Sequence, residues 1–268
     1  MFGLFENRTL LEESSAKWLF DAFAWSLDNF DATLFYNYTV LVLPTNQFFP
    51  GRIESVHGMA SLIFDQVKRY AGTSHWPTRL ADQNSCSLLN TPQIEIKGAL
   101  RDPNGVADDT ITDDRRLLIP YNPQQIQNPE GAIATFSHIL AHYMGQMAKA
   151  PPPGGVEYWP HVTELLAVYL GFGLMFANSA FTFRGGCGNC YNPHANRDAY
   201  LSEREATYAL AIFSVLKDVP NSSVTSYLKR HLRGFYKKAV KEINQRTDDL
   251  ARLRMTKEVS FSGEKQLT

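Results

Sequence analysis

The chain has 268 residues, of which 44% are apolar and 20% charged, so it can bury a sizeable core without disulfides or metals to support it. Its formal net charge of −1 argues against a nucleic-acid partner at the level of the whole chain. The N-terminus has neither the basic segment nor the apolar run of a secretory signal, and the three cysteines are an odd, sparse count. We therefore expect a cytoplasmic protein with reduced thiols.

The longest apolar stretch, residues 165–181, is interrupted by an asparagine and a serine. Spanning a bilayer takes about 20 residues, and this stretch is shorter. We expect a buried helix here and no membrane span.

The predicted elements begin with a helix over residues 11–28, where apolar side chains recur at helical spacing. Residues 35–43 are rich in β-branched and aromatic side chains and predict a strand. Ser55 is suited to cap a helix that runs to about Tyr70, and Gly72 is suited to end it.

The middle of the chain predicts short strands followed by a long helix. Residues 73–90 are polar and loop-like, whereas residues 93–97 alternate as a half-buried strand does and residues 116–119 form a second short apolar run. Asn128, followed by proline and glutamate, is a strong helix start. We expect that helix to end near Lys149, before a run of prolines and glycines.

Helices dominate the second half, with predicted spans of 160–178, 202–216 and 220–245; the second of these opens on a capping box. Strands early and helices late indicate the α+β class, mostly helical with a small early sheet. We expect one domain over residues 1–250, followed by a polar, flexible tail over residues 251–268.

Two histidines, His138 and His142, stand four residues apart in the helix that begins at Asn128. This spacing places both on one helix face, where two neutral imidazoles can bind one zinc ion. Glu164 lies near the start of the next helix and would supply a third ligand if the two helices pack antiparallel. His161, one turn before Glu164, is an alternative ligand or a partner of the ligands.

The residue after the first histidine departs from the usual zinc-peptidase pattern. In His-Glu-x-x-His enzymes this position is glutamate, the general base that takes a proton from zinc-bound water. Here it is Ile139, which cannot transfer a proton. Loss of a general base typically lowers a rate by about 10²–10⁴-fold. The two histidines thus predict a metal site, whereas Ile139 argues against ordinary hydrolysis.

Two segments carry a family resemblance. They are Ala134-Thr-Phe-Ser-His-Ile-Leu-Ala-His-Tyr143 and Val162-Thr-Glu-Leu-Leu-Ala-Val-Tyr-Leu-Gly-Phe-Gly173. They resemble a group of uncharacterised, mainly bacterial proteins with a gluzincin-like zinc-metallopeptidase helix pair. Residues 41–50 and 200–211 are similar to that group too, so that the likeness covers roughly residues 10–216.

The resemblance implies that His138 and His142 are zinc ligands. Glu164 stands where that group tends to have aspartate, so an acidic ligand is kept, while Ile139 stands at the position of the catalytic glutamate. The leading hypothesis is therefore a degenerate metallopeptidase-like protein that binds zinc, with an unknown peptide or protein partner. Two alternatives remain: an active hydrolase that uses another base, such as Glu157 or His161, and an interaction domain without metal.

Cys187 and Cys190 form a Cys-x-x-Cys pair in a glycine-rich segment. Two thiolates are half of a tetrahedral metal site, and Cys86, His194 or His75 would have to supply the rest. The alternatives are a redox dithiol and a loop with two free thiols.

A basic run begins at Lys229 and continues to Lys238, and acidic residues follow soon after it. Charge runs of this kind are commonly the solvated face of a helix. We therefore expect these cations to point to solvent.

Overall fold

The computed structural model describes residues 10–82, 96, 98–107, 110–180 and 200–264, with side chains up to residue 255. The described chain is mostly helical with one small sheet, which confirms the predicted α+β class. The helices are α1 (Glu13–Asn29), α2 (Ala32–Asn37), α3 (Val56–Ala71), α4 (Pro129–Gln146), α5 (Trp159–Ala167), α6 (Gly173–Ser179), α7 (Glu203–Leu216), α8 (Asn221–Thr225), α9 (Arg233–Gln245) and α10 (Thr247–Glu264), and the strands are β1 (Thr78–Asp82) and β2 (Leu117–Tyr121).

Local chemistry sets the predicted helix ends. The hydroxyl of Ser55 accepts a backbone N–H at the start of α3, and Gly72 ends that helix in the left-handed conformation with φ 73°. The side chain of Asn128 caps α4 in the same way. Ser202 and Glu205 form the reciprocal capping box of α7. These four starts and stops confirm the sequence prediction, although α4 ends about one turn early.

The sheet is a single parallel pair, in which Thr78 lies opposite Leu117 and Asp82 opposite Tyr121. Strand β2 confirms the prediction for residues 116–119. Strand β1 falls in a segment predicted to be a loop, and that prediction is wrong: its sequence Thr-Arg-Leu-Ala-Asp is polar and only partly buried, so it lacks the alternation that signals a strand. The strand predicted over residues 93–97 lies almost entirely outside the described residues.

The strand predicted over residues 35–43 is wrong. The first part belongs to the short helix α2, because the carboxylate of Asp31 caps its N-terminus. The rest has no regular structure, and its backbone bonds to another element: Val42 N–H donates to Gly171 O at 2.9 Å. A β-rich composition made no strand here, since none of the strands in the described part of the chain pairs with it.

The helix predicted over residues 160–178 is interrupted. Between α5 and α6 the chain makes a π-helical turn, Val168–Phe172, in which Gly171 has φ 100°. A Cβ atom at Gly171 would lie 2.1 Å from the carbonyl oxygen of Val40. The break in the helix therefore admits the irregular segment that follows α2.

By length and composition, the run Val156–Ser179 would be able to cross a membrane. Its most apolar stretch is 100% buried inside the described structure. Core helices have the same properties, so the prediction of a buried helix in this region is confirmed.

The C-terminal part differs from the prediction in two places. The span 220–245 is divided into α8 and α9 by a 3₁₀ turn, Arg230–Leu232. Helix α10, where the sequence predicted no helix, continues to Glu264 within the region expected to be a polar tail, and its Leu250 and Leu253 are buried. Two apolar side chains one turn apart explain why this polar segment folds against the protein.

Ion pairs hold α10 and the residue before it to α1. The guanidinium of Arg246 donates to both carboxylate oxygens of Glu13, at 2.9 and 2.5 Å. Arg252 donates to Asp21 at 2.6 Å. These contacts join the two ends of the described chain.

Candidate functional site

Helices α4 and α5 pack directly against each other and bring the candidate ligands into the interior. His138 on α4 has an exposed fraction of 2%, and Glu164 on α5 has an exposed fraction of 1%. Buried ionisable side chains need polar partners, so each must interact with other groups in the fold. Helices α4 and α5 thus pack together, with the imidazole of His138 and the carboxyl of Glu164 buried in the protein.

The carboxyl of Glu164 ties α5 to the start of α7. Its Oε2 accepts the backbone N–H of Leu201 at 2.8 Å in a buried hydrogen bond. Leu201 immediately precedes Ser202, which caps α7. Glu164 therefore positions the entrance of another helix, whatever else it binds.

His142 lies one turn beyond His138 and is only partly buried. Its Nε2 is 3.0 Å from Nε2 of Gln146, the side-chain amide one turn further along α4. The two nitrogens are at hydrogen-bond distance, so Nε2 of His142 is engaged by Gln146.

The position of the general base is part of the apolar core. Ile139 has an exposed fraction of 2% and belongs to the same buried cluster as its α4 neighbours Leu140 and Phe136. Its side chain offers no proton acceptor, as the sequence predicts.

His161, the alternative ligand, lies in a cluster of aromatic rings at the start of α5. Its ring centroid is 5.5 to 6.2 Å from those of Trp18, Tyr158 and Tyr200. Its Nδ1 is buried and has no hydrogen-bond partner among the described residues. Burial lowers the pKa of His161, and the nearby charge of Glu205 opposes this shift in part. The neutral form is therefore favoured.

The residue types of His138, His142 and Glu164 suit zinc. Within the part of the chain that the structure describes, no three His, Cys, Asp or Glu side chains are grouped closely enough to hold a metal ion. The zinc site, with either Glu164 or His161 as third ligand, therefore stays a prediction.

The residues predicted to form a second metal or redox site, Cys187 and Cys190, lie outside the described residues, as do Cys86 and His194. Of the possible additional donors, only His75 is described. Its Nε2 lies 2.9 Å from the carbonyl oxygen of Ala99.

Sequence reasoning missed the groups that surround the candidate ligands. Gln146 follows His142 at i+4, so helical spacing alone contains the signal for that contact. The backbone N–H of Leu201 reaches Glu164 only through tertiary packing and has no sequence signal. Trp18 comes from α1, far from His161 in the chain, and its spacing indicates only that it lies on a helix face.

No protein-family model matches this sequence, and neither a curated protein nor a solved structure matches it. The resemblance to gluzincin-like proteins therefore rests on the quoted motifs alone.

Proposed function

We propose that this chain is a metallopeptidase-like protein without peptidase activity, and that it binds zinc through His138, His142 and Glu164. The observation that carries the proposal is the buried Ile139, next to His138 on α4, at the position where a zinc peptidase needs a carboxylate. An apolar side chain in the core can neither take a proton from water nor deliver one to a leaving amine.

Three features support zinc binding by the remaining residues. Two imidazoles and a carboxylate are a common donor set for this ion. The two helices that carry them are in contact. The hydrogen bond from Leu201 to Glu164 is of the kind that orients a ligating carboxylate, since one oxygen suffices for the metal. Binding through Nε2 of His142 requires the amide of Gln146 to turn away.

A second candidate function is an interaction domain without metal. It is favoured by the contacts that already use the candidate ligands, namely Gln146 with His142 and Leu201 with Glu164. In this alternative the polar side chains only support the packing of α4, α5 and α7. For both candidates we propose a cytoplasmic protein that binds a peptide or protein partner.

Zinc content of protein purified without a histidine tag separates the two candidates. We expect about one zinc ion per chain, lost in His138→Ala/His142→Ala. The matched control His57→Ala/His231→Ala removes two exposed imidazoles and should keep the metal. If the wild type contained no zinc, the interaction domain without metal would be favoured. The same conclusion for the α4 site would follow if zinc were lost only in Cys187→Ser/Cys190→Ser. Circular dichroism must show that the variants are folded.

Peptidase activity provides the second test. We expect the zinc-loaded wild type to leave a peptide library intact, because no general base follows His138. The variant Ile139→Glu restores a carboxylate there, and its gain of chelator-sensitive cleavage would support a degenerate enzyme. Chelator-sensitive cleavage by the wild type would instead show an active hydrolase that uses another base, such as Glu157 or His161.

A further inference from the structure

Helix α9 and the turn before it carry a concentration of positive charge that the candidate site does not use. Residues 229–241 contain six lysines and arginines and neither aspartate nor glutamate. All six side chains are exposed. We call them the basic face: Lys229, Arg230, Arg233, Lys237, Lys238 and Lys241.

The geometry of α9 directs this charge outward. Arg233, Lys237 and Lys241 follow at intervals of four residues, so they lie one above the other along one side of the helix. Tyr236 and Ile243 on the other side are fully buried, and α9 packs against α7. The expectation that these cations point to solvent is confirmed. Exposure alone does not explain why so many like charges lie on one side of the helix.

The basic face is not neutralised by the part of the protein that the structure describes. Among those residues, no ion pair joins an aspartate or glutamate to any of its six cations. The guanidinium of Arg233 instead donates to the backbone carbonyl oxygen of Leu228 at 2.8 Å. Like charges at i, i+4 repel each other, so an anionic partner would relieve an unfavourable arrangement.

The size of the basic face limits what can occupy it. From Arg233 to Lys241 it extends about 12 Å along the helix. A segment of a few acidic residues can be matched along its whole length by a face this short, whereas a long polyanion would contact the face with only a small part of its chain.

Membrane binding is also disfavoured, because an interfacial helix buries apolar side chains in the lipid and α9 turns its apolar side inward. We propose that the basic face binds a short acidic segment of a partner protein, a run of a few glutamates or aspartates. This interaction does not involve the candidate zinc ligands and is independent of the function proposed above.

Fluorescence anisotropy with a labelled hexaglutamate peptide tests the proposal. We expect Lys237→Glu/Lys241→Glu to weaken binding by about tenfold or more, since two attractive contacts become repulsive. The matched control Arg52→Glu/Lys149→Glu changes the net charge equally at two exposed positions elsewhere and should stay within about twofold of the wild type. Equal weakening in both variants, or no binding by the wild type, would overturn the proposal.

Two competitors identify the class of partner. A single-stranded RNA dodecamer and vesicles that contain phosphatidylserine should both compete less well than the acidic peptide. Stronger competition by either would assign the face to nucleic acid or to a membrane and overturn the proposal. Binding should disappear near 1 M salt, where the Debye length falls to about 3 Å. It should persist in excess chelator, which separates this result from the fate of the zinc proposal.

Discussion

Among single residues, Gly171 has the strictest requirement. Its φ of 100° is unfavourable for other residues, and a Cβ atom there would overlap the carbonyl oxygen of Val40. We expect Gly171→Ala to lower the free energy of unfolding by about 3 kcal/mol or more. Gly234 on α9 has open space around it, and Gly234→Ala should raise that free energy by about 0.5–1 kcal/mol. Urea unfolding measures the free energy of unfolding of both variants. If Gly171→Ala left it unchanged, the inference of a strained turn at Gly171 would be contradicted.

His161 gives a prediction with a defined pH direction. Burial lowers its pKa in the folded protein, so the unfolded chain binds the proton more readily. The stability that the neutral ring contributes is complete above the ordinary pKa of 6.5 and is lost as the pH falls through the lower, folded-state value.

We therefore expect the difference in unfolding free energy between the wild type and His161→Phe to move against the wild type as the pH falls from about 7.5 to 5. The phenylalanine keeps a ring among the aromatic neighbours but does not titrate. NMR titration gives the pKa directly, and a value at or above 6.5 would refute the prediction.

The candidate ligands show what can be learned from local sequence. The spacing of His138 and His142 correctly predicts two imidazoles on one helix, and Ile139 is visibly the wrong residue for catalysis. Their surroundings were only partly predictable: helical spacing signals the contact of Gln146 with His142, but the contact between Glu164 and the backbone of Leu201 joins positions 37 residues apart. Convergence on a metal is a tertiary property, and a spacing rule describes only one helix.

At the scale of secondary-structure elements, α10 is the clearest departure from the sequence prediction. Leu253 has an exposed fraction of 0%, whereas Met255, two residues later, has an exposed fraction of 63%. We expect Leu253→Ala to lower the free energy of unfolding by about 2–4 kcal/mol, because it leaves a cavity in the packed core. Met255→Ala should change it by less than about 0.5 kcal/mol. Equal effects in chemical denaturation would show that α10 does not pack against the core.

Elements with their own capping chemistry were predictable, and elements that depend on distant partners were not. Helices α3 and α7 begin at serines whose side chains satisfy backbone N–H groups nearby. The run at residues 35–43 has the composition of a strand, but strand formation needs a neighbour and none pairs with it among the described residues. Strand β1 has a weak sequence signal and forms because β2 lies beside it.

At the scale of the whole molecule, one continuous apolar core connects the described helices. It includes Ala16 on α1, Phe136 on α4, Tyr208 on α7 and Leu253 on α10. The buried polar residues His138 and Glu164 lie on α4 and α5, which both contribute side chains to this core. A destabilising substitution near either end of the described chain should therefore lower the stability of the whole fold.

This connectivity predicts a single cooperative unfolding transition. Gly171→Ala, in the break between α5 and α6, and Leu253→Ala, in α10, should lower the same transition temperature, by roughly 2–4 °C for each kcal/mol of lost stability. The unfolding curve from tryptophan fluorescence, which reports on all four tryptophans including the buried Trp25 and Trp76, should coincide with that from far-UV circular dichroism. Met255→Ala serves as the exposed control and should leave the transition in place. Two separate transitions, with Leu253→Ala shifting only one of them, would mean that α10 unfolds independently and that the core is not one cooperative body.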